Sequence, residues 1–167
     1  PQSFGNFLRI RIFDKVPFKN VYYLNGHATD LEEECTRYTS LLSQFPTDIV
    51  CLGIGENGHI AFNDPDVANF NDHKLVKIVK LDHVCRQQQV NEKCFETLEQ
   101  VPTEALTLTI PALLKAKWMF CIVPFKNKAQ AVYRTIHGDI SEKCPASILR
   151  RKEKSSLYLD TESAQLL

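Results

Sequence analysis

The chain has 167 residues and a mass of 19.1 kDa, a size typical of one domain, and 44% of its residues are hydrophobic. Its 20 Lys and Arg residues balance its 20 Asp and Glu residues, which argues against the broad basic surface of a protein that binds nucleic acid or an anionic membrane. No apolar run reaches the roughly 18 residues of a membrane-spanning helix, and six cysteines without C-x-x-C spacing favour a reduced, cytoplasmic protein without bound zinc.

Helical and strand-like segments alternate along the chain, and this order predicts a parallel sheet. In chain order the sequence predicts a helix over 2–14, a strand over 21–24, a helix from 29 or 30 to about 44, strands over 48–52 and 76–81, a helix over 84–95, strands over 105–109 and 118–123, a helix over 126–136 and a strand over 157–159. The predicted fold class is α/β, a Rossmann-like open and mostly parallel sheet with helices on both faces. Trp118, in a fully apolar strand, is expected in the core.

The segment that follows the strand over 48–52 is the most informative part of the chain. It reads Gly53-Ile54-Gly55-Glu56-Asn57-Gly58-His59-Ile60-Ala61-Phe62-Asn63-Asp64-Pro65. Its glycines follow the carboxyl end of a predicted strand, where open α/β sheets bind their ligands. An imidazole ordinarily titrates near neutral pH, so His59 beside an amide and a carboxylate suits acid–base chemistry on a small ligand.

The spacing of these glycines also matches the dinucleotide-binding fingerprint, which is the first alternative. Asp82 stands near the place of a ribose-binding acid in that pattern. That fingerprint needs a helix directly after the glycines, but residues 59–75 contain Pro65 and many Asn and Asp residues, a loop composition. The sequence therefore argues against a dinucleotide site.

The same segment resembles the signature of the glucosamine-6-phosphate deaminase (isomerase) family. The similarity continues in Tyr23–Gly26, in Val101–Leu108 and in Cys144–Ser147. Related sugar-phosphate lactonases have a similar Gly-x-Gly-x-x-Gly-His core but lack the Ile-Ala-Phe-Asn that follows it here. The resemblance implies a sugar-phosphate substrate and proton transfers that need neither a metal nor an organic cofactor.

By this resemblance, His59, Asp64 and Asn57 form the group that opens the sugar ring. His59 would move a proton between O1 and the ring oxygen, Asp64 would orient the imidazole, and Asn57 would fix its tautomer or a sugar hydroxyl. Asn57 stands where some members have Asp, and Asp64 stands where Glu is more usual. Gly55 and Gly58 are expected to line the substrate.

Two cations are the predicted ligands of the phosphate group. Lys128 begins a predicted helix, so its ammonium and the helix amino end could hold one anion, and its context resembles the family's phosphate-binding lysine. Arg86 is the predicted phosphate arginine, since a guanidinium grips phosphate with two parallel hydrogen bonds.

The expected function is isomerisation and deamination of glucosamine 6-phosphate to fructose 6-phosphate and ammonia. The alternatives are the same reaction on galactosamine 6-phosphate, hydrolysis of 6-phosphogluconolactone, and a sugar-phosphate-binding effector domain without catalysis. Chain 1–167 resembles the carboxyl-terminal two-thirds of family members, which carry an amino-terminal phosphate loop and a base for enolisation. The isolated chain is therefore expected to show little turnover. The resemblance allows a homo-oligomer without requiring one, since family members occur as monomers and as larger assemblies.

Overall fold

The structure is a computed structural model that describes residues 4–167, in which five α-helices and five β-strands are present. The helices are α1 (Phe4–Leu8), α2 (Leu31–Gln44), α3 (His83–Asn91), α4 (Ile110–Leu114) and α5 (Ala129–His137). The strands are β1 (Ile49–Leu52), β2 (Val76–Lys80), β3 (Glu104–Leu108), β4 (Trp118–Val123) and β5 (Ser155–Leu159). A π-helical segment covers Arg9–Phe13, and 3-10 helical segments cover Leu98–Gln100, Lys126–Lys128 and Pro145–Arg151. Within the described part, none of the helices has the length and hydropathy needed to cross a bilayer.

Three strands form a parallel sheet in the order β1–β4–β5, which confirms the predicted α/β class and its parallel sheet. Ile49 of β1 lies opposite Trp118 of β4, and Cys121 of β4 lies opposite Leu157 of β5. Because parallel strands run in one direction, their carboxyl ends meet at one edge of the sheet. The glycine-containing segment leaves β1 at that edge.

The other two strands, β2 and β3, pair with each other in an antiparallel arrangement, with Val76 opposite Leu108. They form a separate two-stranded sheet, and a small apolar cluster of Cys35, Val76 and Leu106 joins this sheet to α2. The sequence predicted both strands. Their pairing depends on contacts between segments far apart in the chain, which the local apolar pattern does not encode.

The strand predicted over 21–24 is wrong, since the structure has irregular backbone there. The carbonyl of Tyr23 accepts a hydrogen bond from the Arg37 guanidinium (2.8 Å), and the carbonyl of Tyr22 accepts one from the Tyr38 hydroxyl (3.4 Å). Side chains of α2 thus satisfy carbonyls that a neighbouring strand would otherwise pair.

The remaining predicted elements are confirmed with shifted ends. The predicted helix over 2–14 is helical over Phe4–Leu8 and Arg9–Phe13, while residues 2 and 3 lie outside the described residues. Asp30 caps α2 by accepting hydrogen bonds from the backbone N–H groups of Glu32 and Glu33. The helix predicted over 84–95 ends at Asn91, and the one predicted over 126–136 begins with a 3-10 turn.

The parallel sheet presents two different faces in the described part of the chain. On one face Met119, Cys121 and Val123 are at most 1% exposed and belong to the main core together with residues of α4 and α5. On the other face Trp118 is 41% exposed and Ile122 is 50% exposed. The expectation that Trp118 lies in the core is therefore wrong for residues 4–167, because strand alternation turns its side chain away from the buried face.

Candidate active site

The loop that leaves β1 folds back on itself in tight turns. The Gly55 N–H donates to the His59 carbonyl (2.9 Å), and the Gly58 N–H donates to the Gly55 carbonyl (3.0 Å). Gly58 has a φ of +92°, a conformation that residues with a side chain rarely adopt. Residues 59–75 contain turns and an isolated bridge but no helix, so the helix required by a dinucleotide site is absent from this described segment.

The second half of the loop is fixed to β3 by a buried amide. Asn63 is 0% exposed, and its Nδ2 donates to the carbonyls of Ile60 (3.0 Å) and Leu108 (2.9 Å). Ile60 is also 0% exposed and belongs to the main core. Asp64 follows Asn63 directly, so the packing of Ile60 and the two hydrogen bonds of Asn63 also fix the position of Asp64. An exposed turn residue would lack this support.

The structure brings the three predicted ring-opening residues into contact. His59 Nδ1 lies 2.9 Å from Asp64 Oδ1 and 2.9 Å from Asn57 Oδ1. His59 is 8% exposed and Asp64 is 1% exposed. The aspartate is one methylene shorter than the glutamate more usual in the resembled family, yet its carboxylate reaches the imidazole.

The orientation of Asn57 follows from its own neighbours. Its Oδ1 accepts from the His59 backbone N–H (2.9 Å), while its Nδ2 donates to Asp64 Oδ1 (2.8 Å) and to Asp82 Oδ2 (3.0 Å). Both oxygens that face His59 Nδ1 are therefore acceptors, so Nδ1 carries a proton. Among the described residues nothing hydrogen-bonds to Nε2, so the neutral imidazole has a free acceptor there, and this is the atom available to a substrate.

Burial alone would raise the pKa of the Asp64 carboxyl, because a charge is poorly solvated there. Hydrogen bonds from His59 and Asn57 outweigh this effect and hold the pKa below its usual value. Asp64 is therefore an ionised acceptor that orients the imidazole, and it does not deliver protons near neutral pH.

We expect Asp64→Asn to destabilise the fold at pH 7 and to flatten the pH dependence of the unfolding free energy below about pH 4. The folded pKa of this carboxyl is lowered, so its contribution is complete above the unfolded pKa of about 3.9 and is lost as pH falls through the folded pKa. Urea unfolding at a series of acidic pH values measures this slope. Asp64→Glu keeps the charge and is the control; parallel curves for Asp64→Asn and wild type would contradict the role of this carboxylate.

Two neighbours of this group were not predicted as site residues from the sequence. Asp82 accepts from Asn57, and its other oxygen caps α3 through the Cys85 N–H (2.6 Å), so the helix start and the asparagine orientation are linked. The Cys85 thiol lies beside the Asp64 carboxylate and is 0% exposed. Only the helix cap at Asp82 had a signal in the sequence, since an Asp before a helical segment is a common cap.

Lys128 is buried beside the same loop. It ends the 3-10 turn before α5, is 6% exposed, and its Nζ lies 3.5 Å from Glu92 Oε1. Gln88 donates from Nε2 to Glu92 Oε1 (2.7 Å) and accepts the Glu56 N–H at Oε1 (3.2 Å), which connects the lysine to the glycine-containing loop. The Glu92 carboxylate thus forms an ion pair with Lys128, the cation predicted to bind phosphate.

Arg86 has a different environment from the one expected of a phosphate ligand. Its guanidinium donates to the carbonyls of Leu98 (2.6 Å) and Val101 (3.0 Å), and its buried Nε has no partner among the described residues. These contacts attach α3 to the segment that follows it. The phosphate role of Arg86 stays a prediction.

The sequence matches the family described as glucosamine-6-phosphate isomerases/6-phosphogluconolactonase over residues 1–158. The chain belongs to this family. The resemblance drawn from the sequence motif is therefore confirmed. Similar family members include the glucosamine-6-phosphate deaminases of Bacillus cereus (strain B4264) and Bacillus cytotoxicus, which are 43% and 42% identical to the chain over 164 residues. The aligned region covers 98% of this chain and 61% of each relative, so the chain spans less than two thirds of the length of these curated relatives.

Solved structures in the same family share the fold. A monomeric glucosamine-6-phosphate deaminase matches with a TM-score of 0.92 and 35% identity, covering 100% of this chain and 68% of that one. The 6-phosphogluconolactonase from Thermotoga maritima matches with a TM-score of 0.66 and 20% identity, over 91% of this chain and 62% of that one, which shows a shared fold alone. The first of these proteins is described as monomeric; association of copies of this chain stays a prediction.

Proposed function

We propose that the protein containing this chain converts glucosamine 6-phosphate and water to fructose 6-phosphate and ammonia. The observation that carries this proposal is the imidazole of His59, held at Nδ1 by Asp64 and Asn57 with Nε2 left free. Deaminases 42–43% identical to the chain support the choice of substrate.

In the proposed reaction His59 opens the sugar ring. Nε2 takes the proton from the O1 hydroxyl, and the resulting imidazolium returns a proton to the ring oxygen as the C1–O5 bond breaks. Asp64 stabilises the transient imidazolium through Nδ1, and Asn57 prevents the ring from turning. The later proton transfer from C2 to C1 and the loss of the amine need further groups, and the resemblance places the enolisation base in an Asp-Glu-Tyr segment of longer family members.

A deaminase is favoured over a lactonase by the degree of similarity. The deaminase structure overlaps this chain with a TM-score of 0.92 at 35% identity, against 0.66 at 20% identity for the Thermotoga maritima lactonase. Ile60-Ala61-Phe62-Asn63, which the related lactonases lack, also has a structural purpose here. Ile60 fills the core and Asn63 ties the loop to β3.

The cysteines support the proposed cytoplasmic location. All six are free thiols, four of them buried and two exposed. Exposed thiols such as Cys51 and Cys94 persist in a reducing compartment, where disulfides are rare. The proposed partner is a small-molecule sugar phosphate.

Lys128 is the proposed phosphate ligand, and we expect Lys128→Gln to weaken phosphate binding by about 10–100-fold. This range corresponds to the roughly 1.5–3 kcal/mol of a hydrogen bond to a charged group. Glu92→Gln removes the carboxylate that competes for the lysine, so it should bind phosphate more tightly than wild type. Isothermal titration calorimetry with inorganic phosphate measures both changes in affinity.

Lys126→Gln is the matched control for that titration, since Lys126 is an exposed lysine in the same 3-10 turn. It should bind phosphate like wild type. Equal weakening in the Lys126 and Lys128 variants would show that only the general positive charge of the turn matters.

The direct test of the proposed function is ammonia release from glucosamine 6-phosphate. It is measured for the chain as it stands and for the chain joined to the part of the Bacillus cereus deaminase outside the aligned region. We expect turnover from the joined protein. A joined protein that folds and binds the sugar phosphate but releases no ammonia would contradict the proposal, and parallel assays with galactosamine 6-phosphate and 6-phosphogluconolactone would identify the alternative.

A further inference from the structure

We propose that His59, Asp64 and Cys85 form a binding site for a borderline-soft divalent cation such as Zn²⁺, and that occupation of this site blocks the imidazole. One ligand atom from each residue lies within 4.8 Å of the other two, and all three residues are buried. The blocking effect rests on the proposed function, whereas the binding itself does not.

The donor set fits zinc. Nitrogen, oxygen and sulfur ligands bind Zn²⁺ at about 2.0–2.3 Å, so the ligand atoms of a tetrahedral site are roughly 3.4–3.7 Å apart. The ligand atoms that the three residues offer all lie within 4.8 Å of one another. Side-chain shifts of about an ångström therefore suffice to surround one ion. A fourth position is left for water, as in zinc sites with three protein ligands.

A second feature points to a ligand at this place. Oδ2 of Asp64 is buried and has no hydrogen-bond partner of regular geometry among residues 4–167, and the weakly donating Cys85 thiol lies beside the same carboxylate. Oδ1 of Asp64 is already occupied, since it accepts from Asn57 (2.8 Å). A metal would use this oxygen in place of the thiol contact, while Asn57, itself held by Asp82, donates to Oδ1 of the same carboxylate.

Cys85 has no part in the proposed reaction. Burial, and next the charge of Asp64, raise the pKa of its thiol to about 12, so it keeps its proton when no metal is present. His59 and Asp64 are five positions apart in the chain, and Asp64 and Cys85 are twenty-one apart. The sequence-based expectation of no metal rested on the absence of ligand spacing apart from Asp82-His83-x-Cys85, which is too sparse to indicate a site. Tertiary contact brings them together.

Metal binding would reverse the tautomer of His59. The cation takes the Nδ1 lone pair, so the imidazole proton moves to Nε2, and the Cys85 Sγ–H proton is released to water as the sulfur–metal bond forms. Nε2 then carries a proton and cannot accept one from O1. The ion would thus act as a reversible inhibitor of ring opening without contacting the sugar.

The test is titration of the purified chain with Co²⁺, a coloured substitute for Zn²⁺ that shows a charge-transfer absorption when a thiolate binds it. We expect one such site per chain in wild type, displaced by Zn²⁺. Cys85→Ala should lose the absorption and weaken Zn²⁺ binding by about tenfold or more. Cys35→Ala, which removes another buried thiol in the α2 cluster, should behave like wild type.

Circular dichroism and thermal melting establish that each variant is folded, and Cys85→Ser replaces Cys85→Ala if the latter is not. An absorption that persists without Cys85 would assign the metal to another of the free thiols, such as the exposed Cys51 or Cys94, and overturn the site. Absence of stoichiometric binding to wild type would also overturn it. If the joined protein releases ammonia but the chain binds no metal at Cys85, only this inference is wrong. If the chain binds metal at Cys85 but the joined protein releases no ammonia, only the proposed function is wrong.

Discussion

We expect His59→Asn to reduce ammonia release from glucosamine 6-phosphate by about 10²–10⁴-fold, the usual contribution of a general acid–base residue. Asn is the informative replacement because its amide N–H can donate to Asp64 in place of Nδ1–H, which lies 2.9 Å from that carboxylate. The variant therefore keeps the buried carboxylate paired but has no group that accepts and returns a proton at the position of Nε2. The loss should appear in kcat with a smaller change in KM, since ring opening follows binding.

The assay uses the chain joined to the unaligned part of the Bacillus cereus deaminase, with His27→Asn as control. His27 is exposed and lies in the irregular segment before α2, so its replacement should leave the rate unchanged. An open-chain analogue of the substrate distinguishes ring opening from the later steps, because it needs no ring opening. If His59→Asn slows an open-chain analogue as much as the cyclic sugar, the residue acts in a later step and the ring-opening role is wrong.

The sequence identified the part of this site that is local in the chain. Asn57, His59 and Asp64 lie within eight positions, and Gly58 between them allows a tight turn, so their contact follows from the motif itself. β1, β4 and β5 were predicted for a similar reason, because each is a short apolar run between turn signals.

Long-range contacts explain what the sequence did not show. Asp82 and Cys85 reach the site only because α3 begins beside the loop, and Glu92 reaches Lys128 only at the far end of the same helix. No periodic pattern encodes such contacts. The prediction that Trp118 is buried was wrong because β4 is apolar on both faces. An apolar run does not indicate which of the two faces is packed against other described residues.

We expect the largest structural effect from Gly55→Ala, which adds a single methyl group. A Cβ at this position would lie 2.2 Å from His59 Cε1 and 2.3 Å from Nδ1, far inside van der Waals contact. The backbone of Gly55 is not in the left-handed region, so the substitution acts through this overlap and not through φ. The imidazole must leave its place, which breaks its contacts with Asp64 and Asn57.

The expected consequences of Gly55→Ala are a loss of stability of about 1–3 kcal/mol, typical of overpacking, and a fall in kcat of about 10²-fold or more from the displaced base. Gly53→Ala is a closely matched control two residues away, where a Cβ would meet only the Ile122 carbonyl at 3.4 Å. That variant should keep its activity and gain up to about 1 kcal/mol of stability from reduced chain entropy. Urea unfolding and ammonia release measure the two effects separately. A Gly55→Ala protein with the stability and rate of the Gly53 variant would mean that the imidazole does not lie over this glycine in solution. The arrangement of Nδ1 toward Asp64, on which the proposed ring opening depends, would then have to be abandoned.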